Sequence, residues 1–449
     1  MSSTTSPVRQ SSFSITTLAD QTFKLLASII SYLNANGHAQ PHFTAASAEL
    51  PETSEYEALR NQFNDTVLDL HRLVNGPKNI LRTQGYSFGD HAAIQIALSR
   101  KYFELVPVDV VGLTAAELAK KAGMDEDRTS RILKVLATQR IFEEVHRSFR
   151  HTAASNFLRT SLFTGMSDVS YHELFKAASE MNTHIDASPY STGLENCAFY
   201  NKYGTTFYGY LEANPERAAV FSKAMSGWSL VDDSLKVLRN NFGWSSLENT
   251  KVVDIGGGNG HIRIDLAQHY PALQFTVQDI SNHQLSSAQS AEVQDRVTFQ
   301  QYDYTMPQPI RDAGVYLFRI AFHNNNDEEA MRMLRAVVPA LENRHDDPIL
   351  LINDGIVPER AEGTITRSEE HQHRQLDMVM LLNFGGKERM ERDWRALFEK
   401  VDKRLEISRM CYSPRGAGLL EIRLRQQASR VSKSSELDDG QTRHQESKL

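Results

Sequence analysis

The chain has 449 residues, of which 40% are hydrophobic and 23% charged, so it is long enough to bury a sizeable core in two or three domains. Its formal net charge of −7 gives no electrostatic argument for binding nucleic acid or an anionic membrane. The two cysteines, Cys197 and Cys411, have neither disulfide-framework nor zinc-site spacing, which fits a reducing compartment.

The first 55 residues are predicted to form a polar arm followed by one helix. The arm is rich in serine and threonine, and the apolar segment 23–33 is too short to span a bilayer. No basic region and small-residue cleavage site mark a signal peptide. We therefore expect an amphipathic helix here and a cytoplasmic protein.

Residues 56–165 are predicted to form a helical domain that ends in a winged helix. Helical periodicity runs from Leu59 to Val74, breaks at Gly76-Pro77, and resumes from Ala92 to Leu105.

A helix-turn-helix pattern follows. Thr114 is a plausible N-cap with Glu117 in the capping-box position, Gly123 ends that helix, and Asp127 opens the next one. Two short strands, 141–145 and 149–152, then complete a wing.

A winged helix raises the alternative of DNA binding, because Arg128, Arg131 and Lys134 recur along its second helix. Residues 114–150 carry eight basic and six acidic side chains, which is weaker than the basic footprint of a duplex binder. DNA binding is therefore the less favoured role for this module.

Residues 166–245 are predicted to be helical and are rich in Tyr, Phe, Met and His. Such side chains most often form ordinary core, but some could line a pocket for a flat aromatic substrate. Met225 and Trp228, just before the next domain, are the candidate substrate-binding residues, because the family resemblance given below implies substrate packing at this place.

The segment from 246 to 425 opens with a strand, a glycine-rich turn, a helix and a second strand that ends on Asp279. This order is typical of a nucleotide site in which the acid holds ribose hydroxyls. Counting from Gly256, glycines occupy positions one, three and five, through Gly258 and Gly260, while the sixth is His261. The pyrophosphate fingerprint therefore fails, which favours an adenosyl ligand without a diphosphate.

These residues resemble motif I of the class I S-adenosylmethionine-dependent methyltransferases. The resemblance implies a Rossmann-like α/β fold with S-adenosyl-L-methionine as the cofactor. It also implies that Asp254 lies near the amino-acid end of the cofactor and that Asp279 binds the ribose.

A candidate general base follows another apolar strand. That strand is predicted to end at Phe322, and Asn326 can cap a helix that starts at Asp327, with Glu329 completing the capping box. His323 would then lie at the carboxyl end of a strand, which faces the ligand crevice of an open α/β sheet. Imidazole, with a pKa of about 6.5, can accept a hydroxyl proton at neutral pH.

The chain further resembles the plant and fungal O-methyltransferases of the caffeate and flavonoid type, from about residue 60 to 425. That resemblance implies that His323 is the base, that Asp354 and Glu388 of the Gly385-Gly-Lys-Glu-Arg389 motif orient it, and that a homodimer forms. It also assigns further cofactor contacts to Asp303, Tyr304 and Arg319. The implied acceptor is a phenolic or enolic hydroxyl of a small, polyketide-like secondary metabolite.

The chain departs from this family beside the base, where the usual His-Asp-Trp is His323-Asn324-Asn325. The missing carboxylate keeps open an enzyme that binds S-adenosylmethionine but catalyses a non-methylating dehydration or pericyclic step. A winged-helix regulator that uses the cofactor as a signal is a third alternative, but it would need the DNA binding that the weak basic patch disfavours.

Two further patterns predict no site. His371 and His373, near Glu369 and Glu370, are interpreted as a solvated helix or loop face, and no metal is expected. The polar segment 426–449 is predicted to be disordered.

Overall fold

A computed structural model describes residues 14–108, 111–231, 234–258, 260–280, 295–342, 347–359, 365–413 and 416–425. The predicted disordered tail, 426–449, and the first thirteen residues of the polar arm lie outside the described residues.

Two long helices begin the described chain. The predicted amphipathic helix is confirmed as α1 (Ile15–Ala35), whose first turn is closed by a capping box from Ser14. α1 packs against α2 (Ser54–Ser99), in which Gly76 takes a non-helical conformation with φ 67° and ψ 164°. The predicted break is therefore confirmed. The helix resumes at once because Pro77 fits the first turn of a new helix.

The winged helix is confirmed. It contains β1 (Leu113–Thr114), α4 (Ala115–Ala122), α5 (Glu126–Thr138), β2 (Phe142–Val145) and β3 (Ser148–His151), and it follows the short helix α3 (Tyr102–Leu105). β3 pairs antiparallel with both β1 and β2.

The helix boundaries within this module follow local capping chemistry. Thr114 and Glu117 form the predicted capping box, and Gly123 ends α4 in the left-handed conformation. The prediction that Asp127 opens the second helix is wrong by two residues, because Asp125 caps it by accepting the Arg128 backbone N–H.

The segment that follows is helical, as predicted, but broken into short pieces. These are α6 (Ala153–Phe157), α7 (Ser161–Val169), a π-helical turn (Ser170–Leu174), α8 (Phe175–Ala178), α9 (Met181–Ala187), α10 (Ala198–Tyr203), α11 (Phe207–Ala213), α12 (Pro215–Val231) and α13 (Ser234–Asn240). Aromatic side chains of α10 and α11 pack with Phe384 into one buried cluster.

The main sheet is formed by β4 (Lys251–Ile255), β5 (Gln274–Asp279), β6 (Val297–Gln301), β7 (Val315–Arg319), β8 (Ile349–Asn353), β11 (Leu405–Cys411) and β12 (Leu419–Leu424). Among the described residues its strand order is β11-β12-β8-β7-β4-β5-β6. β4 to β8 run parallel, and β12 runs antiparallel to its two neighbours, β8 and β11. The carboxyl ends of β4, β5, β7 and β8 consequently lie at one edge.

Helices cover both faces of this sheet. They are α14 (His261–His269), α15 (Asp327–Leu341), α16 (Arg367–Phe384) and α17 (Glu391–Val401), with a 3-10 turn at Trp244–Ser246 and a small parallel pair of β9 (Ile356–Val357) and β10 (Arg389–Met390). Alternate residues of β4 and β7 enter two separate apolar clusters, so the sheet is buried on both sides. The predicted α/β, Rossmann-like fold with a winged-helix N-terminal part is confirmed.

One predicted boundary in the sheet is wrong. β7 ends at Arg319 instead of Phe322, because the backbone turns sharply at Ile320, whose φ is 48°, and then forms a 3-10 turn over Phe322–Asn324. His323 lies on that turn, four residues beyond the strand.

No helix in the part of the chain that the structure describes combines the length and hydropathy needed to cross a membrane.

Candidate active site

The glycine-rich turn after β4 forms a backbone cradle. Gly256, Gly258 and Gly260 have φ values of 75°, 57° and 75°, which favour glycine. The Gly258 N–H donates to Asp279 Oδ2 over 2.9 Å, so the acid at the end of β5 is held against the turn. Two predicted features of a nucleotide site, the glycines and the acid, therefore lie side by side.

Asp254 lies beneath this cradle and is fully buried. Its carboxylate forms an ion pair with Arg263 of α14, which is only 2% exposed. Burial, and then the nearby charge of Arg319, lower the pKa of Arg263 well below its usual range. The sequence analysis missed Arg263, because an arginine on a helix is expected to be solvated. The role of Asp254 at the amino-acid end of a cofactor stays a prediction.

Asp303 and Tyr304 follow β6 on the other side of the cradle. Asp303 accepts hydrogen bonds from the Thr305 backbone and hydroxyl at 2.9 and 2.8 Å, which fixes the turn. The Tyr304 ring lies 3.8 Å from where a Cβ on Gly256 would sit. Burial raises the pKa of Tyr304, so its hydroxyl stays protonated. Arg319, the third predicted contact here, is the last residue of β7.

His323, Asp354 and Glu388 are brought together by three separate segments. His323 Nδ1 lies 2.8 Å from Glu388 Oε1 and 3.7 Å from Asp354 Oδ1, and all three residues are buried. Gly355 lies so close that a Cβ there would overlap the Glu388 carboxylate. The grouping that the sequence predicted is therefore present in the structure.

Asp354 holds the backbone of the turn that carries His323. Its Oδ2 accepts the N–H groups of Ala321, Phe322 and His323 at 3.1, 2.8 and 3.3 Å, and its Oδ1 accepts that of Gly355 at 2.8 Å. Asp354 thus caps this turn from a different strand, as an N-cap residue does for a helix.

The carboxylates control the charge of the imidazole. Burial alone would lower the pKa of His323, but the charges of Asp354 and Glu388 outweigh it and raise that pKa above its ordinary value. Since Nδ1 donates to Glu388, Nε2 is the nitrogen that can accept a proton. The arrangement can remove a proton from a bound hydroxyl and stabilise the imidazolium that results.

Arg389 is a second residue that the sequence analysis missed, although it belongs to the quoted Gly-Gly-Lys-Glu-Arg motif. It is 1% exposed, and its two terminal nitrogens donate to the carbonyls of Phe322 and Asn325, each at 2.9 Å. Its guanidinium also pairs with Asp327 at 3.0 Å and lies over the Trp394 ring. Arg389 therefore joins the two ends of the His323 turn.

The two asparagines that replace the family's Asp-Trp point in different directions. Asn325 is buried, and its amide donates to the Ala321 carbonyl at 2.8 Å and to the Tyr304 hydroxyl at 3.3 Å. Asn324 is half-buried, and its amide donates to the hydroxyl of Tyr208 on α11 at 3.1 Å. Tyr208 was not singled out by sequence because it lies among many aromatic residues of ordinary core composition.

The imidazole and the two carboxylates could also be considered as ligands for a cation, since their donor atoms lie within 4.8 Å of one another. Hydrogen bonds already account for the position of these side chains: backbone N–H groups donate to both oxygens of Asp354, and Glu388 accepts from the imidazole.

The predicted substrate residues Met225 and Trp228 are half-buried on α12, which packs closely against α7. Their place in a substrate pocket stays a prediction.

The interpretation of His371 and His373 as part of a solvated face is wrong for one of the two. His371 is exposed, but His373 is buried and its Nε2 lies 3.0 Å from the Tyr412 hydroxyl. Burial lowers the pKa of His373, so this contact is made by a neutral ring.

Two family models match the chain. An O-methyltransferase dimerisation domain matches residues 86–161, and an O-methyltransferase domain matches residues 185–402. The chain is 37% identical over 419 residues to the O-methyltransferase sol2 of Alternaria solani, covering 92% of this chain and 96% of that protein.

Solved structures share the fold at lower sequence identity. A crystal structure of OxaC has a TM-score of 0.73 and 21% identity, covering 91% of this chain and all of that one. A structure described as a pericyclic reaction enzyme has a TM-score of 0.67 and 20% identity, with coverage of 90% and 100%. At these identities the likeness concerns the fold alone.

Proposed function

Since the chain belongs to the O-methyltransferase family, we propose that it transfers a methyl group from S-adenosyl-L-methionine to a phenolic or enolic hydroxyl of a small, polyketide-like secondary metabolite. One observation carries this proposal. A buried imidazole, held by two carboxylates, follows the strand next to the glycine cradle at the carboxyl edge of the sheet.

The cradle suits the adenosyl cofactor. Its glycines let a ligand approach the backbone, and the Asp279 carboxylate, fixed by the Gly258 N–H, is suited to a ribose diol. Asp303 and Tyr304 would lie beside the adenine. Asp254 and Arg319 would lie toward the amino-acid end of the cofactor. When bound, the cofactor supplies an electrophilic methyl group on a sulfonium.

The chain's own part in the reaction is to orient the acceptor and remove its proton. Nε2 of His323 would accept the hydroxyl proton, which leaves the acceptor oxygen as the nucleophile for the methyl group that the cofactor would supply. Glu388 and Asp354 stabilise the imidazolium, and burial of the three groups keeps water from weakening that interaction.

We also propose that the protein is a homodimer. The matched dimerisation domain supports this, as does a row of exposed apolar side chains on α2 that includes Leu81, Tyr86 and Phe88, at 66, 70 and 63% exposure. Patches of this kind on a soluble domain commonly mark an interface.

The test is to incubate the purified protein with S-adenosyl-L-methionine and a panel of phenolic polyketides, following S-adenosylhomocysteine release and product mass together. Equal amounts of released S-adenosylhomocysteine and of product heavier by one methyl substitution would support methyl transfer. A product of changed structure but unchanged mass, or one that has lost water, without S-adenosylhomocysteine release, would support the non-methylating alternative.

A further inference from the structure

The hydrogen bond between Asn324 and Tyr208 has a defined direction. Asn324 Nδ2 lies 3.1 Å from the Tyr208 hydroxyl and 3.4 Å from the carbonyl oxygen of Ile320. A carbonyl oxygen only accepts, so the atom facing it must be the amide nitrogen. Tyr208 oxygen therefore accepts from Asn324.

This direction leaves the phenolic proton of Tyr208 available to a ligand. The contacts of the described residues give that proton no acceptor, and desolvation, with the nearby Tyr304 and Asp279, raises the pKa of Tyr208 above its usual range. The hydroxyl is thus a neutral donor. An aspartate at position 324 would reverse the bond, because a carboxylate only accepts and would take the proton itself.

Tyr208 lies near both the His323 turn and the cofactor cradle. It contacts the residue next to His323, and it is close enough to Asp279 and Tyr304 for both to affect its titration. Its ring packs near Phe384, with ring centroids 5.7 Å apart, yet 41% of the residue remains exposed. The hydroxyl thus lies beside the turn that carries the proposed base and near the acid of the cradle, on a residue that keeps surface for a ligand.

We propose that Tyr208 donates a hydrogen bond to a carbonyl oxygen next to the hydroxyl that is methylated. The preferred substrates are then flat aromatic or enolic molecules with a ketone beside the reacting hydroxyl. This inference rests on the proposed function, and it makes Tyr208, oriented by Asn324, the residue that determines specificity.

The chemistry of such acceptors explains why the donor is useful. A hydroxyl beside a ketone forms an internal hydrogen bond, which ties up the proton that His323 must remove. If Tyr208 donates to the ketone, the hydroxyl is released to Nε2 of His323, which takes its proton. The acceptor oxygen then bonds to the methyl carbon as the sulfur–methyl bond breaks, its electron pair remaining on sulfur, and Tyr208 stabilises the charge shared with the ketone.

The test uses two acceptors that differ only in that carbonyl, ortho-acetylnaphthol and ortho-ethylnaphthol. Their affinities are measured by calorimetry in the presence of S-adenosylhomocysteine, so that recognition is read without turnover. Wild type is expected to bind the ketone about tenfold more tightly, which is the usual worth of one hydrogen bond. Methyl transfer to each acceptor is measured separately.

Three variants distinguish the loss of the Tyr208 hydrogen bond from a general loss of acceptor binding. Tyr208→Phe and Asn324→Asp should each abolish the preference for the ketone while changing the affinity for ortho-ethylnaphthol by no more than about twofold. Tyr190→Phe, at a tyrosine that is 99% exposed in the same helical segment, should retain the preference for the ketone.

Equal binding of the two acceptors by wild type, no binding of the ketone, or a preference that survives Tyr208→Phe would overturn the proposal. A binding preference without methyl transfer would contradict only the proposed function. Methyl transfer to both acceptors without a preference would contradict only the role of Tyr208.

Discussion

His323 is buried between two carboxylates, and its protonation therefore differs from that of a solvated histidine. In the proposed role of general base the free imidazole is the reactive form, so activity should rise with pH as His323 loses its proton. Because the carboxylates raise its pKa, this rise should be centred above about 6.5.

Changing Glu388 to Gln should move that rise to lower pH. Glutamine can still accept the Nδ1 hydrogen bond but carries no charge, so the pKa of His323 falls toward its ordinary value. The plateau rate should also fall, by about tenfold or more, because the imidazolium is less stabilised. The measurement is kcat/KM from pH 5 to pH 9. Glu391→Gln, at an exposed carboxylate nearby, is the control and should leave the profile unchanged.

The residues proposed to carry the chemistry differ in how far the sequence predicts them. His323, Asp354 and Glu388 were found because their motifs occur in order, and the fold brings their side chains together. Arg263 and Tyr208 were not, because Arg263 is distinguished by its burial against Asp254 and Tyr208 by a contact with Asn324, which is distant in sequence.

The element that positions the base is a single 3-10 turn, Phe322–Asn324, held from two sides. Asp354 accepts its N–H groups, and Arg389 donates to carbonyls at Phe322 and Asn325. Both contacts come from other parts of the chain, so the turn cannot be identified from its local sequence. The strand prediction failed here for that reason. The capping box of α4 and the Asn326 N-cap of α15 were predicted correctly from adjacent residues, but the predicted capping box at α15 is wrong, because the Glu329 side chain pairs with Arg332 instead.

Changing Arg389 to Lys should misplace the base without emptying the cofactor site. Lysine keeps the charge but cannot donate to both carbonyls in the fixed geometry of a guanidinium. We expect kcat to fall by about tenfold to a hundredfold, while affinity for S-adenosylhomocysteine changes by less than about twofold. Steady-state kinetics measures kcat, and calorimetry measures the affinity for S-adenosylhomocysteine.

Arg392→Lys, at an exposed arginine of α17, the helix that follows β10, should match wild type in kcat and in affinity for S-adenosylhomocysteine. An unchanged kcat in Arg389→Lys would contradict the proposed role of Arg389 in holding the His323 turn. A loss of cofactor affinity as large as the loss of kcat would also contradict it.

A second element, α16, connects the N-terminal helices to the catalytic loop. Asp65 of α2 accepts the N–H groups of Arg367 and Ser368, at 2.6 and 2.8 Å, and so caps the start of α16. The other end of α16 leads into the loop that carries Glu388.

Asp65→Ala should destabilise the protein by about 1 to 2 kcal/mol, since it leaves these donors without their carboxylate. Chemical denaturation measures this. Asp127→Ala, which removes an exposed carboxylate paired with Arg131, should lower the free energy of unfolding by less than about 0.5 kcal/mol. A similar loss in both variants would mean that Asp65 has no special role in capping.

At the scale of the whole molecule, the fold class was predictable because hydrophobic periodicity and the glycine-acid pattern extend over many residues. The placement of the helical segment against the catalytic domain was not, since it depends on individual contacts such as the one between Asn324 and Tyr208.

The molecule is expected to be a dimer whose interface uses the exposed apolar side chains of α2. Replacing Leu81 and Phe88 together by Lys should shift the sedimentation coefficient from dimer to monomer, because two charges would have to be buried at the interface. Tyr190→Lys, at an exposed tyrosine outside α2, should remain dimeric. A monomeric wild type would contradict the expectation.

The central claim is that His323 removes the proton from an acceptor hydroxyl during methyl transfer. The most direct test is single-turnover methyl transfer by wild type and His323→Gln, with S-adenosylhomocysteine release and product mass followed together, on an acceptor that wild type methylates. We predict one methyl added per S-adenosylhomocysteine released by wild type, and a rate about a hundredfold to ten-thousandfold lower in the variant, with cofactor affinity retained. Methyl transfer at the wild-type rate by His323→Gln would contradict the account.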